Sequence, residues 1–582
     1  MRKTKIICTI GPASNNVETL KQMIKAGMNV ARLNFSHGEH QEHRLRMLAI
    51  REAAQACEQQ VAIMLDTKGP EIRTGKLEKG KINLVSGQKF VLTTREVNGN
   101  EDEVMISYPH LPQEVKPGTT ILLSDGLIHL EVEECNETDV ICRVINGGEL
   151  GERKGVNVPG VKIALPFLSQ KDIEDINFGI DNKVDFIAAS FVRTAQDVLD
   201  IRRILEQRDA DIDLIAKIES QEGVDNLDEI IRVADGIMVA RGDLGVEIPE
   251  EEVPLLQKTI IDKCCQMGKY VIIATQMLES MINNPRPTRA EVSDVANAIF
   301  DGADAIMLSG ESAAGRYPVE VVKTMSKIAA RVEKALPYQD ILRQKRPQLT
   351  PSVTDAISYA TCTAAMNLGA TAIITVTQTG YTAKMVAKYR PQASILAATH
   401  DPRIMRKLAL VWGVHPVLIK EIESTDEMLE ESINAALENG YINNGDLIVL
   451  TAGIPAGKSG GTNMLKVETV GQILVQGMGI GNRPASGPVR IVRNNEEIHK
   501  IQPGDILVTG SADSSLAPYL DIIAGLVAEE GGLTSNAAIM GLNADKPVIV
   551  GAREALSILE DGMVVTLDTP RGRIYRGIAR VL

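Results

Sequence analysis

The residues with the clearest chemical potential end the segment DIDLIAKIE, residues 211–219. Side chains alternate along a strand, so Lys217 and Glu219 are predicted to lie on one face. One interpretation is a solvated strand end, where an ion pair contributes little to stability. The other is a catalytic lysine beside a carboxylate that binds a metal ion, and this segment alone leaves both open.

Polar side chains follow several other short apolar runs in the same way. They are Arg32, Asn34, Ser36, Asp66, Thr67, Arg73, Arg241, Asp243, Thr275, Ser309 and Glu311. One charged strand end carries little information. Cations and carboxylates repeated on several strands indicate a site, provided that the strand ends converge.

Two of these carboxylates, Glu219 and Asp243, offer the hard oxygen ligands that Mg²⁺ prefers, with the remaining positions left to substrate and water. Lys217 would then direct a compact positive charge at a phosphoryl group or at the oxygen of a developing enolate. The pattern therefore predicts metal-assisted chemistry on an oxygen-rich substrate.

The other groups complete the expected ligand. Arg32 and Arg73 carry forked donors suited to phosphate. The segment ARGDLGVEIP, residues 240–249, places small residues just before an expected helix start, where backbone N–H groups can bind a carboxylate. These features together indicate a small dianionic substrate with phosphate and carboxylate groups.

A second cation site is suggested by neutral oxygens beside a single carboxylate, a set that suits a monovalent ion. Its members are Asn34, Ser36, Asp66 and Thr67. The competing interpretation is an ordinary turn, which Asn and Ser in loops commonly form.

Three nearby histidines, His37, His40 and His43, also allow a metal-binding interpretation. Their spacing fits the start of a solvated helix better. Only His37 is expected to lie close to the other polar groups.

These side chains require elements that bring them together. Short β-branched runs recur with helix-length segments between them, which predicts a parallel sheet covered on both faces, and eight such units predict a closed (β/α)₈ barrel. The predicted strands span 5–10, 28–34, 61–66, 184–189, 212–218, 236–240, 270–275 and 304–309.

The remaining segments predict further domains. About a hundred residues of alternating strands and turns interrupt the barrel, which indicates a small β-barrel lid inserted at the end where active sites form. A strand–helix pattern restarts near residue 340 and predicts an open α/β domain. We therefore expect the barrel at 1–69 and 169–339, the lid at 70–168, the α/β domain at 340–472 and an extension at 473–582.

In the α/β domain, TQTGYTAKMVA places Thr377, Thr379, Gly380 and Thr382 ahead of a helix. This arrangement is either a phosphate cradle or an ordinary helix cap. The loop at 453–463 would close over the same place.

The composition excludes several classes of function. The chain has 582 residues, a net charge of -14, 3% aromatic residues and the single tryptophan Trp412, so no nucleic-acid partner is expected. Its seven cysteines are scattered without a CxxC pair, as in a reducing compartment. No apolar run is long enough for a signal peptide or a membrane span. We expect a cytoplasmic protein with no membrane partner.

Several long motifs resemble the pyruvate kinase family. They occur in the family's order over residues 1 to about 472 and read NFSHG, MLDTKGPEIRTG, KGVNVPG, AKIES, ARGDLGVE, ATQMLESM and NPRPTRAEVSDVANAIFDGADAIMLSGESAAGRYP. The resemblance implies transfer of the phosphoryl group of phosphoenolpyruvate to ADP, giving pyruvate and ATP. It also implies Mg²⁺ (or Mn²⁺) and K⁺ as cofactors, a phosphorylated small-molecule effector and a homotetramer.

The resemblance also implies roles for individual residues. Lys217 becomes the transition-state stabiliser, and Thr275, close by, becomes the proton-relay residue for the enolate. Glu71 stands where family members that need K⁺ carry glutamate. The implied sets are Lys217, Arg32, Thr275 and Arg73 for catalysis; Arg32, Gly242, Asp243 and Thr275 for substrate; Glu219 and Asp243 for Mg²⁺; Asn34, Ser36, Asp66 and Thr67 for K⁺; Asn34, Phe35, Ser36, His37, Arg73 and Lys154 for nucleotide; and Thr377, Thr379, Gly380 and Thr382 for effector.

The extension resembles the phosphohistidine domain of phosphoenolpyruvate-utilising enzymes. The family's Thr-Ser-His reads Thr-Ser-Asn here, with Asn536 in place of the histidine, and no histidine follows His499. An amide cannot accept a phosphoryl group as imidazole does. The extension is therefore expected to be catalytically silent.

Two alternatives remain open at this stage. One is a Mg²⁺-enolate aldolase or lyase acting on a 2-oxo acid, which would not need Lys217 or a lid carrying Lys154. The other is a non-catalytic sugar-phosphate sensor, which would be expected to have lost Lys217, Glu219 or Asp243.

Overall fold

A computed structural model describes residues 1–346, 351–422, 424–454, 461–471, 473–579 and 581. The chain divides into two compact units. The first comprises Met1–Pro337 with Pro402–Val414, and the second comprises Tyr338–Asp401 with His415–Leu582. Among the described helices, none combines the length and the apolar character needed to span a bilayer.

The first unit is built on a closed barrel of eight parallel strands, as predicted. Each strand pairs with the next in the chain order of the barrel, and the eighth pairs with the first. Almost all residues of these strands are buried, because side chains fill the interior and helices cover the outside. The barrel strands are Lys5–Thr9, Val30–Asn34, Ala62–Asp66, Phe186–Ala189, Asp213–Ile218, Gly236–Ala240, Tyr270–Ala274 and Ala305–Leu308.

The helices of this unit begin where local capping is available. Ser169, Thr194 and Thr288 each form a capping box with an acidic residue three positions on. The helices are Val17–Ala26, His40–Ala56, Leu111–Glu114, Gln170–Asp181, Ala195–Gln207, Gln221–Asp225, Leu227–Val233, Arg241–Glu247, Val253–Met267, Arg289–Asp301, Gly310–Ala313, Pro318–Glu333 and Pro402–Leu408, with a 3₁₀ turn at Glu279–Ile282.

The segment inserted after the third barrel strand is largely β-structure. Its own apolar core includes Phe90, Leu92, Ile121 and Leu130. Seven strands form one sheet in the order Ile72–Arg73, Gly155–Asn157, Thr120–Leu123, Ile128–Cys135, Asp139–Asn146, Lys89–Thr93 and Glu103–Met105, while Lys81–Leu84 pairs with Gly148–Gly151.

The described residues of the second unit form two sheets. The first has the order Val414–Leu418, Ser394–Thr399, Ala372–Val376, Leu447–Ala452 and Met464–Thr469, and its last strand is antiparallel to its neighbour. The second has the order Ile473–Gln476, Arg573–Arg576, Val564–Asp568, Ala485–Ile491, Ile506–Thr509, Gly525–Ala528, Val548–Val550 and Met478–Ile480. The helices are Tyr338–Lys345, Val353–Leu368, Tyr381–Ala387, Thr425–Glu438, Asn536–Asn543 and Ala555–Ile558, with 3₁₀ turns at Asn495–Lys500, Ser514–Tyr519 and Thr569–Arg571.

A buried lysine lies at the amino end of the first barrel strand. Lys5 donates a hydrogen bond from Nζ to the carbonyl oxygen of Val414 at 2.6 Å. Burial, together with the nearby cation of Arg2, lowers the pKa of Lys5 to about 7, and the carboxylate of Glu333 opposes the change. Since the unfolded-state pKa is about 10.5, the unfolded chain binds a proton between pH 7 and 10.5 that the folded chain lacks.

We expect the stability of the wild-type protein to gain up to about 1.4 kcal/mol per pH unit from Lys5 as pH rises from about 7 to about 10.5. Lys5→Met removes this gain. The midpoint of thermal unfolding of the variant relative to wild type should therefore fall as pH is raised from 7 to 10. The exposed Lys25 provides the matched control, Lys25→Met. A Lys5→Met profile parallel to that of wild type would contradict the prediction.

Candidate active site

The ammonium of Lys217 lies among three oxygen acceptors at the carboxyl end of the barrel. Its Nζ is 2.7 Å from Ser190 Oγ, 3.0 Å from Glu219 Oε1 and 3.2 Å from Asp66 Oδ1. Burial by itself disfavours the charged ammonium, but the carboxylates of Asp66 and Glu219 outweigh it and raise the pKa of Lys217. Lys217 is therefore a buried cation at neutral pH, and the solvated strand end is excluded.

The other carboxylate oxygen of Asp66 forms an ion pair with Arg32. Arg32 Nε lies 2.6 Å from Asp66 Oδ2, and Arg32 Nη1 donates to Thr9 Oγ1 at 2.9 Å. Burial opposes ionisation of Asp66, yet Arg32 and Lys217 hold its pKa below the ordinary value. One carboxylate thus orients both cations at the mouth of the barrel.

Glu219 is buried and only partly satisfied. Its Oε2 accepts a hydrogen bond from the backbone N–H of Phe191 at 2.6 Å, and its Oε1 lies 3.0 Å from the ammonium of Lys217, which leaves each oxygen with a second lone pair. Burial raises the pKa of Glu219, the ammonium of Lys217 opposes the rise, and the neighbouring charge of Asp243 adds to it. A buried oxygen pair of this kind fits a divalent cation.

No group of three or more His, Cys, Asp or Glu with the geometry of a metal site occurs in the described ranges. The two carboxylates, Glu219 and Asp243, would therefore need oxygen ligands from substrate and water to complete a metal's coordination.

Thr275 adopts an unusual backbone conformation beside the helix that begins at Arg241. Its φ is 67°, in the left-handed region that non-glycine residues seldom occupy. Its Oγ1 accepts a hydrogen bond from the N–H of Gly242 at 2.8 Å, and its carbonyl accepts one from Arg241 Nη2 at 2.7 Å. Asp294, 2.7 Å from Arg241, completes this brace. The predicted substrate residues Gly242 and Thr275 are in direct contact.

A cavity of about 570 Å³ lies between the barrel and the inserted β-segment. Predicted residues from both parts line it, including His37, Arg73, Lys154 and Asp243. Glu71 also lines it, and its Oε2 lies 2.7 Å from Arg73 Nε. The cavity brings cationic groups of the inserted segment to the same space as a carboxylate of the barrel.

The loop after the second barrel strand contains the turn that the sequence left as an alternative. Asn34 Oδ1 accepts a hydrogen bond from the N–H of Ser36 at 3.0 Å. Asn34 is also in register with Asp66 on the next strand, while Thr67 follows it. The four residues proposed for a second cation therefore lie on adjacent strand ends.

The interpretation of the histidines as a solvated helix start is wrong for His43. His43 is fully buried and stacks on Phe35, with ring centroids 3.9 Å apart. Burial lowers the pKa of His43 to about 4. His40 lies 2.6 Å from Asp175, and of the three histidines only His37 is among the described residues that line the cavity.

In the second unit, Gly380 precedes the helix Tyr381–Ala387 with a φ of 81°, and its N–H donates to Thr377 Oγ1 at 2.9 Å. Thr382 Oγ1 lies 2.8 Å from Thr462 Oγ1. Most of the predicted closing loop, residues 455–460, lies outside the described residues. Asn536 begins the helix Asn536–Asn543, which Ser535 caps.

Sequence reasoning missed Thr9 and Ser190, which lie at the ends of the first and fourth barrel strands. Their hydroxyls contact Arg32 and Lys217 directly. The signal was available, because the rule that placed the other residues applies to all eight strand ends. Uncharged hydroxyls simply stand out less than charges in a sequence.

Comparison with known proteins identifies related chains. Residues 1–322 match the model of the pyruvate kinase barrel domain, 355–468 the pyruvate kinase alpha/beta domain, and 501–572 the mobile domain of PEP-utilising enzymes. Pyruvate kinases of Geobacillus stearothermophilus and Bacillus licheniformis are each 54% identical, and that of Staphylococcus aureus is 48% identical, with all of this chain and of each relative covered.

A crystal structure of a pyruvate kinase from Cryptosporidium parvum superposes with a TM-score of 0.77 at 43% identity, covering 80% of this chain and 96% of that one. The family models thus match the barrel, the α/β region and the extension, and the solved structure matches the fold over four-fifths of the chain. The chain belongs to the pyruvate kinase family, whose members transfer the phosphoryl group of phosphoenolpyruvate to ADP.

Proposed function

We propose that phosphoryl transfer takes place at the mouth of the barrel with Lys217 as the transition-state stabiliser. The observation that carries this proposal is the buried ammonium of Lys217, which is oriented by Asp66, Ser190 and Glu219. Such a preorganised charge stabilises developing negative charge without reorganisation during the reaction. Arg32, fixed by Asp66, binds the phosphoryl group beside it.

Members of the family use metal ions, and we propose Mg²⁺ (or Mn²⁺) at Glu219 and Asp243. The buried carboxylate of Glu219, whose two oxygens each keep a second lone pair beside the N–H of Phe191 and the ammonium of Lys217, supports this assignment. Burial raises the pKa of Glu219, and the like charge of Asp243 adds to the rise despite the opposing ammonium of Lys217, so a divalent cation between the two carboxylates would relieve their repulsion. When bound, a divalent cation neutralises charge on the oxygens of the phosphoryl group.

We propose K⁺ for the second site, formed by Asn34, Ser36, Asp66 and Thr67. Neutral oxygens with one carboxylate suit a monovalent cation. Asn34 and Asp66 lie side by side on neighbouring strands, which supports the binding of one ion by both residues.

The substrates occupy two neighbouring regions in this proposal. The carboxylate of phosphoenolpyruvate binds near the backbone N–H groups of Gly242 and Asp243, and Thr275 serves the proton relay to the enolate. The nucleotide binds in the 570 Å³ cavity along Arg73 and Lys154. The loop from Asn34 through Phe35 to His37 lies on this side, with the Phe35 ring itself buried.

The family activity requires ADP, which the aldolase or lyase alternative does not use. Lys217, Glu219 and Asp243 are all present, unlike in the expected non-catalytic sensor. We further propose a phosphorylated effector at Thr377, Thr379, Gly380 and Thr382, a homotetramer, a cytoplasmic location and an extension without phosphoryl-transfer chemistry.

Lys217→Met should lower the kcat for ADP-dependent turnover by about three orders of magnitude, because the charge acts mainly in the transition state. Mn²⁺ binding, followed by electron paramagnetic resonance, should survive because both carboxylates remain. The exposed Lys25→Met variant is the control. Near-wild-type turnover by Lys217→Met would overturn the assignment.

Activity should collapse in K⁺-free buffer, and Glu71→Lys should restore part of it by supplying a cation within the chain. The comparison is turnover with and without K⁺ at constant ionic strength. Glu78→Lys, at an exposed position of the same inserted segment, should leave the K⁺ dependence unchanged. Equal wild-type activity with and without K⁺ would count against the site.

A chain ending at Val470 should keep phosphoenolpyruvate-to-ADP transfer. The cut leaves the strand Met464–Thr469 paired with Leu447–Ala452. It removes the close packing of the Ile578 carbonyl on Gly445, so stability or effector response should change.

The complementary measurement incubates the intact protein with ³²P-phosphoenolpyruvate and isolates residues 473–582. We expect no label, since Asn536 occupies the histidine position. Acid-labile label on this segment, or a well-folded but inactive truncation, would show that the extension takes part in catalysis.

A further inference from the structure

Ser190 is a buried serine whose hydroxyl connects three elements of the barrel mouth. Its Oγ is 2.7 Å from Lys217 Nζ, 2.7 Å from the carbonyl oxygen of Thr67 and 3.2 Å from Asp66 Oδ1. Carbonyl and carboxylate oxygens only accept, and an ammonium only donates. The single hydroxyl proton is therefore directed at Thr67 or Asp66, and a lone pair of Oγ faces Lys217.

The backbone around Ser190 is held firmly in place. Its N–H donates to Thr67 Oγ1 at 3.1 Å, and the next residue, Phe191, has a φ of 54° and donates its N–H to Glu219. Gly69 permits this approach, because a Cβ there would lie 2.8 Å from the Cβ of Ser190. A bulky residue such as Phe191 adopts a left-handed φ only at an energetic cost, so the surrounding contacts must hold this turn in place.

We propose that Ser190 is a positioning residue that directs the ammonium of Lys217 toward the transferred phosphoryl group. This inference rests on the proposed catalytic role of Lys217. Of the three acceptors around Nζ, Ser190 alone is neutral, so it anchors one N–H without neutralising the charge. The other two N–H groups face Asp66 and Glu219, carboxylates that the proposed cations share.

The alternative is a purely structural tie between the ends of the third and fourth barrel strands. A tie would affect stability and substrate affinity rather than the chemical step. A positioning role acts through Lys217 and must depend on its presence.

The primary test is Ser190→Ala in the full-length protein. A hydrogen bond to a charged group at this strength predicts a fall in kcat of about 10- to 100-fold, with the KM for phosphoenolpyruvate changed by less than about 3-fold. Ser312→Ala is the matched control. Ser312 is a fully buried serine near the end of the eighth strand whose Oγ donates to the carbonyl of Thr9 at 2.9 Å, and its kcat should stay near wild type. An unchanged kcat in Ser190→Ala overturns the proposal.

A double-mutant cycle isolates the dependence on Lys217. In single-turnover measurements, Ser190→Ala should lower the rate by less than about 2-fold in a Lys217→Met background. An equal fall in both backgrounds overturns the positioning role. The catalytic role of Lys217 itself is tested separately by Lys217→Met alone.

If Ser190→Ala does not fold, the pair Ser190→Thr and Ser190→Val decides, because the two side chains have nearly the same shape and differ in the hydroxyl. Activity retained by threonine and lost by valine supports the proposal. Equal kcat values in the two variants overturn it.

Discussion

The arrangement of this barrel mouth depends on keeping the ammonium of Lys217 charged while it is buried. Removing an ion from water costs several kcal/mol, and the cost is offset only if opposite charges and hydrogen bonds surround it. Asp66 and Glu219 provide the charges, and Ser190 provides a neutral acceptor. Glu219 follows Lys217 on the same strand, whereas Asp66 and Ser190 come from the ends of the next two strands of the barrel, so these three strands must pair before the lysine is fully stabilised.

The same requirement extends to the neighbouring charges. Asp66 is itself buried and is kept ionised by Lys217 and Arg32 together, while Arg32 is oriented by Thr9. Loss of one partner would leave an uncompensated buried charge, which is more costly than loss of a surface ion pair. Removing one of these charges would therefore change both the positive electrostatic potential at the mouth and the stability of the strand ends.

Backbone conformation supplies a second constraint. Thr275 and Phe191 both occupy the left-handed region, and each lies where a strand gives way to a loop at the mouth. Thr275 is braced by Arg241 and Gly242, and Phe191 by Glu219. Strained backbone conformations of this kind persist where several surrounding contacts hold them in place. Here they direct backbone N–H groups and side chains toward the mouth of the barrel.

The sequence by itself determined the eight-strand barrel, the inserted β-segment and the cluster around Lys217. Strand periodicity is local, and parallel barrel strands bring their carboxyl ends together whatever their detailed packing. It also indicated the family through long motifs, which the comparisons confirm.

Only the tertiary structure decided which atoms meet. The contact of Ser190 with Lys217, the brace from Arg241 to Thr275 and the burial of His43 join residues far apart in the chain or depend on side-chain packing. The antiparallel strand Met464–Thr469 likewise depends on its pairing with the preceding strand, Leu447–Ala452. Hydroxyls carry no charge pattern, so which of the hydroxyls at the strand ends contact Lys217 and Arg32 emerges only when folding sets their partners and distances.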